Sequence, residues 1–381
     1  MKKERIINRL ISLVLTAVIL LTVPLSVKAA DNAELPKGWL LWHNYSDYSA
    51  LDSKLYLCSP DGTTETISGD FIHAMNGYFG NSPEQITFMA IDKKADEWDI
   101  FLYDNGKITN LTQNSGFRNE DPKFSPNGKS IIFKRGYWSS SANDFVYDLA
   151  LVDIETKEVT MLTDTPEEEA MPCYSADGMY IYYAVYTDRI GSICRIETST
   201  GKVETVYSES GINAYYPIVK GDKLYFTAWH SADNHCDRIM CYDGKEVYPL
   251  SLNSAEYDCS DACPVDDNKM IFSSTMNGNY DLYYSDGVNI SSLSELNTDI
   301  NELGADFFSY DEYLGNNAVE GDVNADGELT VADLVLFQKW LLAVPDTQLD
   351  SPESADICTD DKLDVFDLCV MREELCKSKT L

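Results

Sequence analysis

Between about residues 38 and 313, short runs of alternating apolar and polar residues are separated by turn residues, and the whole pattern recurs. Its fullest copy reads Asp121-Pro122-Lys123-Phe124-Ser125-Pro126-Asn127-Gly128, then Ser130-Ile131-Ile132-Phe133. A polar stretch follows, then Asp148-Leu149-Ala150-Leu151-Val152-Asp153, a turn, and Val159-Thr160-Met161-Leu162-Thr163. Period-two alternation suits half-buried strands, and Asn-Gly supplies the backbone angles of a tight hairpin. The unit is therefore four strands joined by turns. Other copies align on the second strand at Phe88, Tyr183, Phe226 and Phe272. The third strand recurs at Lys54–Cys58, Asp99–Tyr103, Asp148–Val152, Ile193–Ile196, Arg238–Tyr242 and Asp281–Tyr284, which makes six units. The first unit lacks its opening strand, and a partial copy, Asp306-Phe307-Phe308-Ser309, follows the last. A ring explains both: the chain end completes the first sheet. Four-stranded units repeating every forty-odd residues predict an all-β, six-bladed β-propeller over 31–313.

After a polar linker, 314–320, the pattern changes to a small helical, EF-hand-like domain over 321–377. In the run Gly321 to Asp333, oxygen donors fall at loop positions 1, 3, 5 and 12: Asp322, Asn324, Asp326 and Asp333. Gly327 stands at position 6, and Glu328 offers its carbonyl at position 7. This is calcium-loop spacing, because alternate side chains converge on one point while the glycine permits the bend. A second copy lies 34 residues on, with Asp356, Cys358, Asp360 and Asp367 at the same positions and Lys362 at position 7. Cys358 replaces an oxygen donor and Asp361 replaces the glycine, so the second Ca2+ site should bind more weakly. Each loop leads into an amphipathic helix, 331–342 and 366–375, with Leu334, Phe337, Leu368 and Met371 set to pack together.

Composition narrows the function classes. There are 63 acidic against 29 basic residues, a formal charge of −34. That argues against nucleic acid and against anionic membrane surfaces as partners. A basic start (Lys2, Lys3, Arg5, Arg9), an apolar run from Ile11 to Leu25 and small residues at Val27-Lys28-Ala29 read as an export signal over 1–30. The mature protein is then expected to be secreted, without a membrane span; a retained anchor is the alternative. Ten cysteines leave disulfides open, with Cys259 and Cys263 or Cys358 and Cys369 as local pairs. Several of the ten sit in apolar strand-like runs, where cysteine is a small buried hydrophobe.

The loops between second and third strands share one face of the predicted ring. They carry His43, Tyr45, Arg135, Tyr137, Trp138, Tyr186, Arg189, Trp229 and His230, and the Lys134–Tyr147 segment is the longest. Aromatics beside Arg and His can stack on and hydrogen-bond a sugar, so Trp138, Trp229 and His230 mark the expected ligand face. Catalytic residues are not recognisable: Gly-x-Ser-x-Gly is absent and the four histidines lack zinc-enzyme spacing.

Ser-Pro-Asn-Gly at 125–128, Ser-Ala-Asp-Gly at 175–178 and Asp-Ile-Phe-Leu-Tyr-Asp at 99–104 resemble TolB-type propeller repeats. Such repeats occur in periplasmic scaffold proteins, peptidase accessory domains and some polysaccharide lyases, so the resemblance implies fold more than function. Gly-Asp-Val-Asn-Ala-Asp-Gly at 321–327 and Asp-Val-Phe-Asp-Leu-Cys-Val-Met-Arg at 364–372 resemble the duplicated repeat of type I dockerins. That resemblance implies docking onto a cohesin module of a scaffoldin, in a cell-surface or free cellulosome. The dockerin positions that set cohesin choice match Val331, Ala332, Gln338 and Lys339 in the first copy, and Val365, Phe366, Arg372 and Glu373 in the second. The expected function is a cellulosomal component whose propeller binds plant polysaccharide or a partner protein. The alternative is a carbohydrate-active enzyme, a glycoside hydrolase or polysaccharide lyase.

Overall fold

A computed structural model describes residues 36–67, 69, 71–94, 97–139, 144–230, 236–266, 268–316, 319–324, 327–345, 347–360 and 362–378. The expected export segment 1–30, Asp326 and Asp361 lie outside the described residues. Six four-stranded antiparallel sheets make the propeller. Blade 1 is closed by the chain end: strand Asn301–Ser309 pairs with Gly38–Tyr45, Gly38 opposite Ser309 and Tyr45 opposite Asn301. The partial repeat at 306–309 lies in that strand, as its sequence requires.

The residues that align the repeats are also its core. Phe88, Phe133, Phe226 and Phe272 are completely buried, and Tyr183 nearly so. Apolar clusters join neighbouring blades; one combines Met89, Trp98 and Ile100 of blade 2 with Ile131, Phe133 and Ala150 of blade 3. Burying a ring of this size favours folding by roughly 2–3 kcal/mol.

The innermost strand of every blade carries a bulge at one left-handed residue: Asn76, Asp121, Met171, Tyr216, Asp261 and Gly304, with φ between 51° and 60°. Pairing slips there in each sheet. Tyr78 of blade 2 and Tyr216 of blade 5 belong to opposite blades, and their hydroxyls meet at 2.8 Å across the axis. Lys123 Nζ sits 4.3 Å from the Tyr78 ring centre and 5.2 Å from that of Tyr216. The central channel is therefore filled at this level.

Three expectations need correction. The segment 134–147 is largely strand, not loop: Lys134 pairs with Leu149 and Trp138 with Phe145, because Arg135-Gly136-Tyr137-Trp138 alternates as a strand does. The helix Tyr310–Asn316 crosses the boundary expected at 313, with Tyr310 and Tyr313 packed on Trp39. Cys259 and Cys263 are free thiols. They lie on either side of the Asp261 bulge in one strand, opposite Ser274 and Ile271, roughly 10 Å apart at strand rise and well beyond disulfide reach. Cys358 and Cys369 are also unbridged.

Candidate functional site

The C-terminal residues form a core of their own. Val323, Phe337, Ala355 and Met371 are fully buried, ringed by Leu329, Leu334, Ile357, Leu363 and Leu368. Helices Val331–Leu341 and Val365–Ser378 supply the anticipated packing residues. Val323 and Ile357 both occupy loop position 2, and Leu329 and Leu363 position 8, so the duplication extends into packing.

The two loops also repeat one hydrogen-bond cradle. Asp333 accepts from the backbone N–H of Asn324 through Oδ1 (3.2 Å) and of Thr330 through Oδ2 (2.8 Å). Asp367 accepts in the same way from Cys358 (3.1 Å) and Asp364 (2.9 Å). Both carboxylates are buried. At position 1, Asp322 accepts from Gly327 N–H at 2.7 Å, and Asp356 accepts from Asp360 N–H at 3.1 Å. Gly327 has φ +90°, the region that the bend demands and that other residues resist. Among the described residues no group of three His, Cys, Asp or Glu side chains converges at metal-ligand distance. Asp326, the position-5 donor, is not among them. Backbone-fixed carboxylates at positions 1 and 12, all buried except the half-buried Asp356, fit a hard cation. Cys358 at position 3 of the second loop fits it poorly. Val331, Ala332, Gln338, Lys339, Val365, Phe366, Arg372 and Glu373 are all exposed, and Phe366 retains 69% of its surface.

On the propeller the expected ligand residues do not form one group. Trp138 stands 60% exposed near a hairpin tip of blade 3, whereas Trp229 lies on blade 5, with blade 4 between them. His230 ends its strand, and its side chain lies outside the described residues. Two rim candidates are interior. His43 is buried, and burial, then nearby His73, lowers its pKa to about 3, so it is neutral. Arg135 is buried too, donating to Asn119 Oδ1 at 2.9 Å and stacked 4.7 Å over Phe117. Tyr137 donates to Asp148 at 2.7 Å.

Trp229 does line an open hollow of about 440 Å³ with Met171, Tyr186, Asn213, Tyr215 and Asp237. Asn213, Trp229 and Asp237 face one another across three adjacent strands, and so share one sheet face. Burial pushes the Asp237 carboxyl up to about 6, and the Glu169 carboxyl up to about 7. Neither acid was anticipated from the sequence.

No family model matches the chain, and no curated protein matches it. Solved structures do. Over 71% of this chain the propeller is similar to TolB from Acinetobacter baumannii, with TM-score 0.54, 17% identity and 66% of that chain covered. It is also similar to Kuenenia stuttgartiensis hydrazine synthase, with TM-score 0.61, 12% identity, and 73% of this chain and 47% of that one covered. The chain thus spans about two thirds of the TolB chain and about half of the synthase chain. At these identities the likeness defines a fold: the propeller is a TolB-like six-bladed β-propeller.

Proposed function

We propose that this chain is a secreted component that docks through residues 321–377, in a calcium-dependent way, onto a cohesin module of a scaffoldin. Its cargo is the propeller, whose ligand is plant cell-wall polysaccharide or a partner protein. The duplicated carboxylate cradle at Asp333 and Asp367, 34 residues apart, carries the reading. Asp322, Asn324, Asp326, Asp333 and the Glu328 carbonyl would hold the first ion. Asp356, Asp360, Asp367, the Lys362 carbonyl and, poorly, Cys358 would hold the second. Calcium would neutralise the gathered carboxylates and so stabilise the folded loops. The eight exposed residues at the cohesin-choice positions form the binding surface.

Immobilised cohesins tested against the full chain decide the matter. Binding is expected with calcium and not with a chelator, and replacing Val331, Ala332, Gln338 and Lys339 together should weaken it. If no cohesin of a broad panel retains the chain in calcium, the docking role is wrong. The enzyme alternative would draw on Glu169 and Asp237, whose carboxyls burial pushes up to about 7 and about 6, where a general acid operates. Release of soluble products from plant polysaccharides would favour that alternative.

A further inference from the structure

The blades differ at one position in a way that the repeat makes visible. The N–H of Ile100, Leu149, Ile239 and Leu282 donates to the side-chain oxygen of Thr112, Thr163, Asn253 and Asn297, respectively. That bond aligns blades 2, 3, 5 and 6 residue by residue. The two residues before it are Trp98-Asp99, Tyr147-Asp148 and Tyr280-Asp281 in blades 2, 3 and 6. Blade 5 has Asp237-Arg238 instead. A carboxylate therefore occupies the place of an aromatic ring, and the aromatic group, Trp229, stands directly across the ladder from it.

The acids of the other blades are satisfied. Asp99 accepts from Thr112 (2.7 Å) and Asn110 (2.9 Å), and Asp148 from Tyr137 and the Thr165 N–H (2.9 Å). Asp281 accepts from Asn277 and Asn279. Asp237 is 7% exposed and accepts from Tyr280 through Oδ2 at 3.1 Å and from the Tyr215 hydroxyl, yet its Oδ1 has no partner among the described residues. An acceptor buried without a donor is costly and calls for a reason. Two like charges, Asp258 and Asp261, both oppose its ionisation. No ion pair to Asp237 forms among the described residues.

We propose that the hollow beside Trp229 binds an organic ammonium group, which sits against the Asp237 carboxylate with Trp229, Tyr186 and Tyr215 as its aromatic wall. Aromatic faces attract cations through their quadrupole, most strongly when desolvated, and tryptophan does so best. Met171 adds a polarisable thioether to the wall. The Asp237 carboxylate, which lines the hollow, and the repelling aspartates supply the charge that such a ligand would neutralise. The ammonium could come from a lysine side chain of a partner protein or from an amino sugar; both present the same group. This inference deepens the ligand-face part of the proposed function and is independent of its docking part.

The test is calorimetric titration of the full chain in calcium. The probes are N-acetyl-lysine methylamide, glucosamine and, as the neutral control, cellobiose. The ammonium probes should bind and cellobiose should not; preference between the two probes identifies the source. Asp237→Asn and Trp229→Leu should each lower affinity about tenfold or more. Tyr215 and Tyr280 donate to the carboxyl and Asp258 and Asp261 face it, so affinity should fall as pH drops below about 6 and Asp237 takes up a proton. If Asp237→Asn fails to fold, Trp229→Leu and the pH series still decide. Unchanged affinity in Trp229→Leu, or no weakening at low pH, overturns the inference. Cellobiose binding as well as the ammonium probes overturns it too but leaves the ligand-face reading standing. Binding of none of the three overturns the inference, and the ligand-face reading then stands or falls on retention by plant polysaccharides.

Discussion

Replacing Asp306 by asparagine removes a charge from the propeller axis while keeping a hydrogen bond. Asp306 belongs to the closing strand, and its Oδ2 accepts from the Phe79 N–H at 2.8 Å. Burial pushes its carboxyl up to about 6 from 3.8, although Lys220 and Lys123 pull the other way. Between those two values the folded protein holds a proton that the unfolded chain releases. Its contribution is therefore full below pH 3.8 and is lost as pH rises through about 6. At 1.36 kcal/mol per pKa unit, the ionised carboxylate costs about 3 kcal/mol at pH 8. An amide oxygen at this position would accept the same N–H without that cost. Asp306→Asn should thus stabilise the propeller by about 2–3 kcal/mol at pH 8, or roughly 5–10 °C in Tm, and by almost nothing near pH 3.5. Denaturant unfolding of both proteins across this range measures the difference. An equal gain at both pH values, or a less stable variant at pH 8, would refute the reasoning.

Removing calcium should unfold residues 321–377 while the propeller transition stays put, and Asp322→Ala should cost more calcium affinity than Asp356→Ala; calorimetry reads both. Gly304→Ala should destabilise by about 3 kcal/mol, because the new Cβ would lie 2.4 Å from the buried His43 ring at φ +60°. Gly221→Ala, at φ +57° with open space around it, isolates the backbone part and should cost about 1 kcal/mol in the same unfolding assay. Phe226→Ala should cost about 3–5 kcal/mol, whereas exposed Trp138→Ala should stay within about 0.5 kcal/mol, both read from denaturation midpoints.

The blade count was legible because it depends on repetition: one buried aromatic per second strand, at near-constant spacing, survives variation in the loops. Strand length was less legible. The stretch 134–147 looks polar, yet Arg135 and Tyr137 are consumed by Asn119 and Asp148. Spacing alone does not reveal that a polar side chain already has a partner inside the protein. The bulges do have a trace in the sequence. Asp121, Met171 and Tyr216 each precede a proline, and proline inside a strand-like run marks a bulge or an edge. Asp237 has one too, as the exception to an aromatic-aspartate pair found in three other blades. Its raised pKa has no sequence signature, because burial raises it against the hydrogen bonds of Tyr215 and Tyr280, and burial comes from the packing of blades distant in the chain.

The bulges also explain why the channel is filled. A left-handed residue costs about 1–2 kcal/mol when it is not glycine, and only Gly304 of the six escapes that cost. Asparagine and aspartate tolerate the conformation best, but Met171 and Tyr216 do not belong to that group. Strain of this kind persists only where the surroundings over-determine it. At Tyr216 they do: its hydroxyl meets Tyr78 and its ring packs near the Lys123 ammonium. Two residues beyond each bulge stand Tyr78, Lys123, Cys173, Ile218, Cys263 and Asp306, so the cation and the axial carboxylate belong to one ring of equivalent positions. Lys123 is buried, which lowers its pKa, and Asp121, Asp306 and Asp261 act against that shift. The same lysine helps to hold the Asp306 pKa at about 6 instead of higher. Losing it would leave those acids without their shared cation, a more damaging change than neutralising any one of them. The left-handed backbone is thus what brings opposite blades close enough for side chains to meet across the axis.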